Sequence, residues 1–304
     1  MTVIAIQLCT YRRPQVVETL ASLARQRVPG ADLHLFVIDN DETESARDRV
    51  VAAAERLPFG YSYLHAPARN IAIARNACLD AAGDADWIAS IDDDEIAPEG
   101  WLARLFARAT DSGADGVFGP IRAAYPLDAP KWMRDLAPHS RSYGPRQPHP
   151  RTGNTGNALL RWRGAPWQDR RFDPLRGRTG GEDIAFFSAL HDMGARFAIA
   201  PDAEVVEPVE RHRLQLEWLA HRRFRTGQSH VAVAGSRLAR SRLGMGGLLL
   251  SAAVQAACCQ AMQFLTSHNE ARRNHWFLRR QQFRGTCAGL MGREERLFHS
   301  RPDP

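Results

Sequence analysis

Three consecutive aspartates and a glutamate follow a short apolar run in the segment WIASIDDDEIAPEGWL, residues 87–102. Carboxylates this close together repel one another and raise each other's pKa, unless a cation or a hydroxyl-rich ligand shares the site. The alternative is an acidic turn after a strand, which caps the helix that Pro98 and Glu99 open. This segment alone leaves both interpretations of Asp92, Asp93 and Asp94 open.

A second acidic pair, Glu182 and Asp183, lies at the predicted start of a helix in TGGEDIAFFSALHDMG. Acidic side chains are favoured in the first turn of a helix, and this alone would explain the pair. The preceding Gly180 and Gly181 favour a functional role, because glycine lets the backbone approach a ligand closely. A carboxylate in such a place can accept a proton as a general base.

Apolar β-type runs alternate with helical patterns over the first 112 residues. The predicted strands are VIAIQL, LHLFVID, YSYLH and DWIASI, and the helices that follow them are Val16 to Gln26, Ser45 to Arg56, Ile71 to Ala81 and Gly100 to Ser112. Parallel strands need crossover helices, so this alternation predicts an α/β sandwich. Ligands bind such sheets at the carboxyl ends of the strands. Thr10, Asp39, the segment after His65 and the aspartate run should therefore converge on one crevice.

The later part of the chain has a different pattern. Residues 125–178 are rich in Pro, Gly, Arg and Trp, and TGNTGNALLRW is their only strand-like stretch. Strand-like RFAIA and AEVVE come next, and LQLEWLAHRRFRTGQ predicts a further helix. Neither G-x-G-x-x-G nor G-x-x-x-x-G-K-[ST] occurs where a strand meets a helix. A bound diphosphate would instead be neutralised by a divalent cation held by the aspartates.

Charge divides the chain. Residues 1–210 hold 24 Lys and Arg against 29 Asp and Glu, whereas residues 211–304 hold 16 against 5. Such a basic tail suits an anionic membrane, nucleic acid or an acidic partner. Its aromatic residues and arginines follow helical order rather than that of a stacking platform, which argues against nucleic acid. The uncharged stretch 243–265 is long enough to span a membrane, but its hydrophobicity is low for a spanning helix. A helix hairpin on a membrane surface and a helix that packs on the domain are about equally favoured.

The N-terminus and the cysteines indicate a cytoplasmic protein. The chain enters a strand pattern without the basic and apolar regions of a signal peptide. Its five cysteines are scattered, with no C-x-x-C pair, which favours reduced thiols.

Five motifs occur in an order and spacing that resemble family-2 glycosyltransferases of the GT-A fold. They are CTYRRP after the first strand, VIDN ending the second, ARNIAIARN before the third helix, IDDDE after the fourth strand and GGEDIAFF opening a later helix. The resemblance is greatest to bacterial exopolysaccharide glycosyltransferases of the succinoglycan type, and it covers about residues 1–230. It implies a three-layer α/β sandwich with a mostly parallel central sheet and a C-terminal helical extension.

The resemblance also implies site residues. Thr10, Tyr11 and Arg12 would lie along the nucleotide, Asp39 would bind the base, and Arg69, Asn70, Arg75 and Asp93 would line the nucleotide site. Asp94 would bind the metal and Asp92 the ribose or metal-bound water, while Asp183, with Glu182 as the alternative, would be the catalytic base. Asn154, Asn157, Trp162 and Trp167 would bind the acceptor, and His212 is a candidate to complete the metal site.

Each assignment has a structural alternative. Asp39 could belong to a turn, Arg75 to the solvated face of a helix, His212 to the surface and the tryptophans to the core. The segment HRRFRTG resembles the family's Q/R-x-x-R-W motif with its tryptophan replaced, which weakens the case for processive polymer synthesis.

The implied reaction is an inverting, Mg²⁺- or Mn²⁺-dependent transfer from a nucleoside diphosphate sugar, with UDP expected, to a saccharide or lipid-linked oligosaccharide at the inner face of the bacterial inner membrane. Residues 1–235 would form the glycosyltransferase domain, with a nucleotide-binding half, 1–122, and an acceptor-binding half, 123–235. Residues 236–304 would be a basic helical extension. A non-catalytic scaffold of the same fold and, more remotely, a nucleotidyltransferase are the alternatives.

Overall fold

The structure, a computed structural model, describes residues 1–143, 149–238 and 242–293. The chain divides into two units. The first comprises Met1–Ala124, Ser140–Gly177 and Glu182–Pro208, and the second comprises Tyr125–His139, Arg178–Gly181 and Val209–Pro304. The predicted boundary after residue 235 falls inside a helix, Leu216–Leu238, which runs across it.

The first half of the first unit has the predicted alternation of strands and helices. Its elements are β1 (Thr2–Thr10), α1 (Val16–Leu23), β2 (Ala31–Asp39), α2 (Arg47–Ala54), β3 (Gly60–His65), α3 (Ile71–Ala81), β4 (Trp87–Asp92) and α4 (Trp101–Ser112). The rest of the unit contains β5 (Gly116–Phe118), β6 (Ile121–Ala124), β7 (Asn157–Arg161), α6 (Glu182–Asp192), β8 (Phe197–Ile199) and β9 (Val205–Pro208). The second unit contributes α5 (Lys131–Leu136), which precedes β7 in the chain.

A seven-stranded sheet forms the centre of the first unit, in the order β3-β2-β1-β4-β7-β5-β8. All neighbouring strands in it are parallel except β7, which runs antiparallel to both β4 and β5. In this register Thr10 pairs with Asp39, and Cys9 pairs with Asp92. The carboxyl ends of β1, β2 and β4 therefore lie side by side, as the alternation predicted.

Helices cover both faces of this sheet. On one face, apolar side chains of α1, α2 and α4 pack on β1 and β2, in a core that includes Leu20, Val50 and Trp101. On the other face, α3 and α6 pack in a second core that includes Leu79 and Phe187. Two sheet faces and two helical layers give the predicted three-layer sandwich. Outside this sheet, β6 and β9 form a separate parallel pair.

The second unit is helical. It contains α5, α7 (Leu216–Leu238), α8 (Arg242–Leu265) and α9 (Glu270–Leu290). Helices α7 and α9 cross with their backbones in contact. A Cβ atom on Gly227 would lie 2.0 Å from the Gln282 carbonyl oxygen, and a Cβ atom on Gly285 would lie 1.9 Å from the Phe224 carbonyl oxygen. In the part of the chain that is described, Gly244–Leu265 is the one helical stretch with the length and apolar composition to cross a membrane.

Candidate active site

Arg13 binds two of the three aspartates that follow β4. Its Nη1 lies 3.0 Å from Oδ1 of Asp93 and 2.6 Å from Oδ2 of Asp94. Both carboxylates are only 9% exposed, whereas the arginine side chain is 28% exposed. Burial raises the pKa of Asp93 to about 7, although Arg13 opposes this shift. The predicted clustering of negative charge is therefore present, and an internal cation partly neutralises it.

Glu95 is the last acidic residue of the turn after β4. Its Oε2 accepts a hydrogen bond of 3.0 Å from the backbone N–H of Asp92, and its burial raises its pKa well above the ordinary value. Gly156 lies directly over this turn, since a Cβ atom there would be 2.8 Å from Glu95 Oε1 and 3.1 Å from Asp92 Oδ2. A side chain at position 156 would therefore fill the space beside the Asp92 carboxylate.

Glu182 is neutralised by a buried arginine. Arg75 Nη1 donates a short hydrogen bond to Glu182 Oε1, and both side chains are buried. Arg75 Nη2 also lies 3.8 Å from Asp92 Oδ1. Burial alone would lower the pKa of Arg75, but the nearby carboxylates, above all Glu182, raise it, so the guanidinium stays charged. The alternative that placed Arg75 on a solvated helix face is wrong.

Asp183 follows in the first turn of α6 and is only partly buried. Its Oδ1 accepts a hydrogen bond of 2.7 Å from the backbone N–H of Ile184. The preceding glycines have φ angles of 91° and 85°, which L side chains rarely adopt. The backbone conformation before α6 therefore favours glycine at both positions.

Arg141 lies within electrostatic reach of both Asp183 and Asp92. Its backbone exchanges hydrogen bonds with Ile121 in β6, which fixes where the residue lies. Desolvation would lower the pKa of Arg141, but attraction by Asp183, Asp92 and Glu207 raises it. Asp183 and Asp92 also act together on Arg75. The two acidic motifs thus face the same two arginines.

A second group of charges surrounds the Tyr11 ring, beyond the end of β1. The guanidinium carbons of Arg12 and Arg69 lie 5.3 and 5.6 Å from the ring centroid. Both arginines also contact Glu42, at 3.2 and 3.4 Å, and both have positive φ angles, 51° and 43°. Arg12 Nε lies 2.8 Å from Asp41 Oδ1. The sequence predicts three members of this group, Tyr11, Arg12 and Arg69, and the structure brings them together.

Asp39 and Asn70 are engaged by the protein itself. Asp39 is fully buried, and its carboxylate accepts hydrogen bonds from the backbone of Asp41, the backbone of Ala46 and the hydroxyl of Tyr63. Asn70 caps α3, and its side chain donates to the carbonyl oxygen of Pro174 at 2.8 Å. Asp39 therefore holds the turn after β2, as the structural alternative proposed. Thr10 is also buried, at the end of β1.

Comparison with known proteins identifies the family. A sequence model described as glycosyl transferase family 2 matches residues 6–172. The succinoglycan biosynthesis protein ExoM of Rhizobium meliloti is 42% identical over 295 residues, which cover 96% of this chain and 94% of that protein. The chain belongs to glycosyltransferase family 2.

Solved structures agree with the GT-A fold that the sequence predicted. Mannosyltransferase PcManGT from Pyrobaculum calidifontis, in complex with GDP-Man and Mn²⁺, matches with a TM-score of 0.66 at 17% identity, over 96% of this chain and 88% of that one. S. aureus TarS 1-349 in complex with UDP-GlcNAc matches with a TM-score of 0.52 at 16% identity, over 96% and 91% of the two chains. At these identities the similarity concerns the fold.

The residues predicted to bind the acceptor of this glycosyltransferase lie in the interior. Trp162 and Trp167 are 1% and 2% exposed and belong to the core beneath α3 and α6, so neither ring is available to stack on a sugar. Asn157 is fully buried, and it bonds Trp101 Nε1, Pro120 and Ala203. Asn154 is bonded to the Tyr143 hydroxyl and to the Gly156 backbone. These positions correct the acceptor-binding prediction in favour of the packing alternative.

The acidic residues after β4 and His212 are the predicted metal ligands. No group of three or more His, Cys, Asp or Glu residues arranged to hold a metal ion occurs within the described ranges. His212, exposed in the second unit, pairs with Glu210 at 3.2 Å. The carboxylates after β4 nevertheless have the oxygen chemistry that Mg²⁺ and Mn²⁺ prefer. Asp93 and Asp94 already share one cation, the guanidinium of Arg13.

Sequence reasoning missed two arginines of this family-2 site, Arg13 and Arg141. The second arginine of CTYRRP was a readable signal, since it follows the strand whose end faces the aspartate run. Arg141 lies in a Pro- and Arg-rich stretch without periodicity, and nothing in its neighbourhood distinguishes it.

Proposed function

We propose that this protein transfers a sugar from a nucleoside diphosphate sugar to a saccharide hydroxyl during synthesis of a bacterial exopolysaccharide. Its 42% identity to a succinoglycan biosynthesis protein supports the pathway class. The structures of similar fold were solved with GDP-Man or UDP-GlcNAc, which supports a nucleotide-sugar donor. Within that class we propose UDP as the donor nucleotide.

The observation that carries the proposal is the pair of arginines shared by the two acidic motifs. Asp92 and Asp183 both act on Arg75 and on Arg141, although they lie on different elements of the first unit. A transferase needs such an arrangement, because negative charge leaves on the diphosphate while a proton leaves the acceptor. A scaffold that only bound a nucleotide would not need Asp183 there.

We assign the proton transfer to Asp183. It would accept the proton of the acceptor hydroxyl as that oxygen attacks the anomeric carbon from the face opposite the leaving diphosphate, which inverts the configuration. Glu182 is unsuited to this role, because its carboxylate is held by Arg75. Its proposed role is to keep Arg75 charged and oriented.

Asp94, together with Asp92, would hold a divalent cation, Mg²⁺ or Mn²⁺, and the cation would neutralise charge on the leaving diphosphate. Arg75 and Arg141 contribute fixed positive charge at the same place. Tyr11, with the guanidinium groups of Arg12 and Arg69 beside its ring, offers an aromatic surface to the nucleoside part of the donor.

We further propose that the enzyme works at the cytoplasmic face of the inner membrane on a lipid-linked oligosaccharide. In α8, Leu250, Phe264 and Leu265 are 67%, 78% and 66% exposed. Helix α9, which packs on α8, carries Arg272, Arg273, Arg279, Arg280 and Arg284. An apolar helix face accompanied by arginines is suited to lie in the surface of an anionic bilayer.

The test is a panel of UDP- and GDP-linked sugars with Mn²⁺, scored for donor hydrolysis and for transfer to lipid-linked saccharides. One donor should be consumed by wild type and not by Asp183→Asn, and NMR should show inverted anomeric configuration in the product. A retained configuration would refute the inverting mechanism. Nucleotide binding without turnover of any donor would favour the scaffold instead.

A further inference from the structure

Arg13 lies where a metal ion would need to bind. Its Nη1 is 3.0 Å from Asp93 Oδ1 and 2.6 Å from Asp94 Oδ2, so one nitrogen bridges the two carboxylates. The adjacent Arg12 is directed elsewhere, to Asp41 and Glu42. Two consecutive arginines therefore serve two different acidic groups.

The contact with Arg13 removes much of the electrostatic attraction that these aspartates would exert on a metal ion. Two buried carboxylates next to each other form a strong cation site only while no other cation is present. A divalent ion at Asp94 would be repelled by a guanidinium whose nitrogen lies 2.6 Å from the same carboxylate. The two cations therefore compete, and the metal ion must displace Arg13 to bind well.

A displaced Arg13 guanidinium would be stabilised by an anionic partner on the donor. Arg13 is 28% exposed on a long flexible side chain, so it can turn away from the carboxylates without unfolding its surroundings. A diphosphate bound to the metal ion would supply that partner, since guanidinium pairs well with phosphate oxygens.

We propose that Arg13 couples metal binding to donor binding, as a built-in cation that holds Asp93 and Asp94 until a metal ion and a nucleoside diphosphate arrive together. The inference rests on the proposed metal role of Asp94 and deepens it. It makes Arg13 a positioning residue whose effect is visible in binding, apart from turnover. The expected consequence is that metal ion alone binds weakly and that UDP strengthens its binding.

The experiment measures Mn²⁺ affinity by electron paramagnetic resonance on the full chain, with and without UDP. In wild type, UDP should strengthen Mn²⁺ binding by about tenfold or more, a typical size for coupling between ligands. Arg13→Gln should bind Mn²⁺ alone more tightly than wild type, and UDP should add much less. Arg47→Gln, which removes an equal charge from an exposed pair with Glu44, should behave as wild type.

The outcomes separate this inference from the proposed function. If Asp94→Asn loses Mn²⁺ binding while Arg13→Gln matches wild type with and without UDP, the role of Arg13 is overturned and the metal site stands. If Asp94→Asn binds Mn²⁺ as wild type does, the proposed metal site itself fails. Arg13→Lys keeps the charge on a side chain with a single nitrogen and should fall between wild type and Arg13→Gln. A Lys variant that matches Gln would show that charge is not what Arg13 supplies.

Discussion

Substituting the two neighbouring acids at the start of α6 should give opposite results. Glu182→Gln removes the charge that pairs with buried Arg75, whereas Asp183→Asn leaves that pair intact. The first change should mainly reduce stability, and the second should mainly reduce transfer. One residue of separation in sequence thus distinguishes a positioning carboxylate from the proposed base.

The stability effect follows from the contacts of Arg75. Breaking a buried ion pair by removing one partner costs about 3–5 kcal/mol, because the remaining charge is left uncompensated. Here Asp92 lies 3.8 Å from the same guanidinium, and glutamine retains an acceptor, so we expect the low end, about 3 kcal/mol. That corresponds to a fall of roughly 5 to 10 °C in melting temperature for a domain of this size.

Asp183→Asn should be nearly neutral for stability. An asparagine Oδ1 can accept the same hydrogen bond from the Ile184 backbone, and the lost helix-dipole interaction is worth about 0.3–1 kcal/mol. Transfer should nevertheless fall by roughly two to four orders of magnitude, the usual contribution of a general base. Binding of UDP should stay close to wild type.

The assays are thermal unfolding and sugar transfer on the same protein samples, with transfer measured well below every melting temperature. Asp111→Asn, at an exposed position of α4, controls for loss of one negative charge. Asp183→Asn with full transfer activity would refute the base assignment. Glu182→Gln with the stability of wild type would refute the importance of the buried pair.

Three further predictions concern the metal ion, the membrane and pH. UDP should bind about tenfold or more tightly with Mn²⁺ than with EDTA, and Asp94→Asn should lose more of this gain than Asp93→Asn. Equal affinities for UDP in Mn²⁺ and in EDTA would contradict the prediction. Wild type should sediment with anionic vesicles and dissociate as salt rises, whereas Leu250→Glu with Phe264→Glu should sediment less; salt-resistant retention would instead indicate a spanning helix. Burial lowers the pKa of His139 from 6.5 to about 4. The unfolded chain therefore takes up this proton at a higher pH than the folded protein does, and the free energy of unfolding should fall by about 3 kcal/mol as the pH drops from 6.5 to 4. Urea titrations should show a flatter pH profile for His139→Gln.

Local pattern was sufficient to predict the first half of the sheet. Strands β1 to β4 and helices α1 to α4 were readable because short apolar β-type runs alternate with helical patterns and each crossover is short. The helix α3 was predicted with its observed bounds, Ile71–Ala81. The position of the aspartate run followed from the same pattern, since parallel strands bring their carboxyl ends to one edge.

Contacts between residues that are distant in the sequence could not be predicted from local pattern. The antiparallel strand β7 inserts between β4 and β5, and β5 has three residues, too few to show a period. The ion pair of Arg75 with Glu182 joins positions 107 residues apart. No local pattern distinguishes such an arginine from one on a solvated helix face.

Residue type alone also failed to separate binding from packing. Tryptophan and asparagine suit a sugar, and they equally suit a core and a buried turn. Trp167 donates its indole N–H to the Arg161 carbonyl, and Asn157 uses both ends of its amide internally. Only coordinates show that these hydrogen-bonding groups are already used.

The close approach of Gly227 to Gln282 and of Gly285 to Phe224 favours the observed register of α7 and α9. A slide of one helical turn, about 5.4 Å, would bring residues four positions away to the crossing. For α7 one such residue is Arg223, and for α9 one is Gln281, and both carry long side chains where the backbones now touch. The pair of glycines therefore helps to set the position of α7 along α9. An alanine at either glycine would force the two helices apart, because its Cβ atom would lie 2.0 or 1.9 Å from a carbonyl oxygen of the other helix.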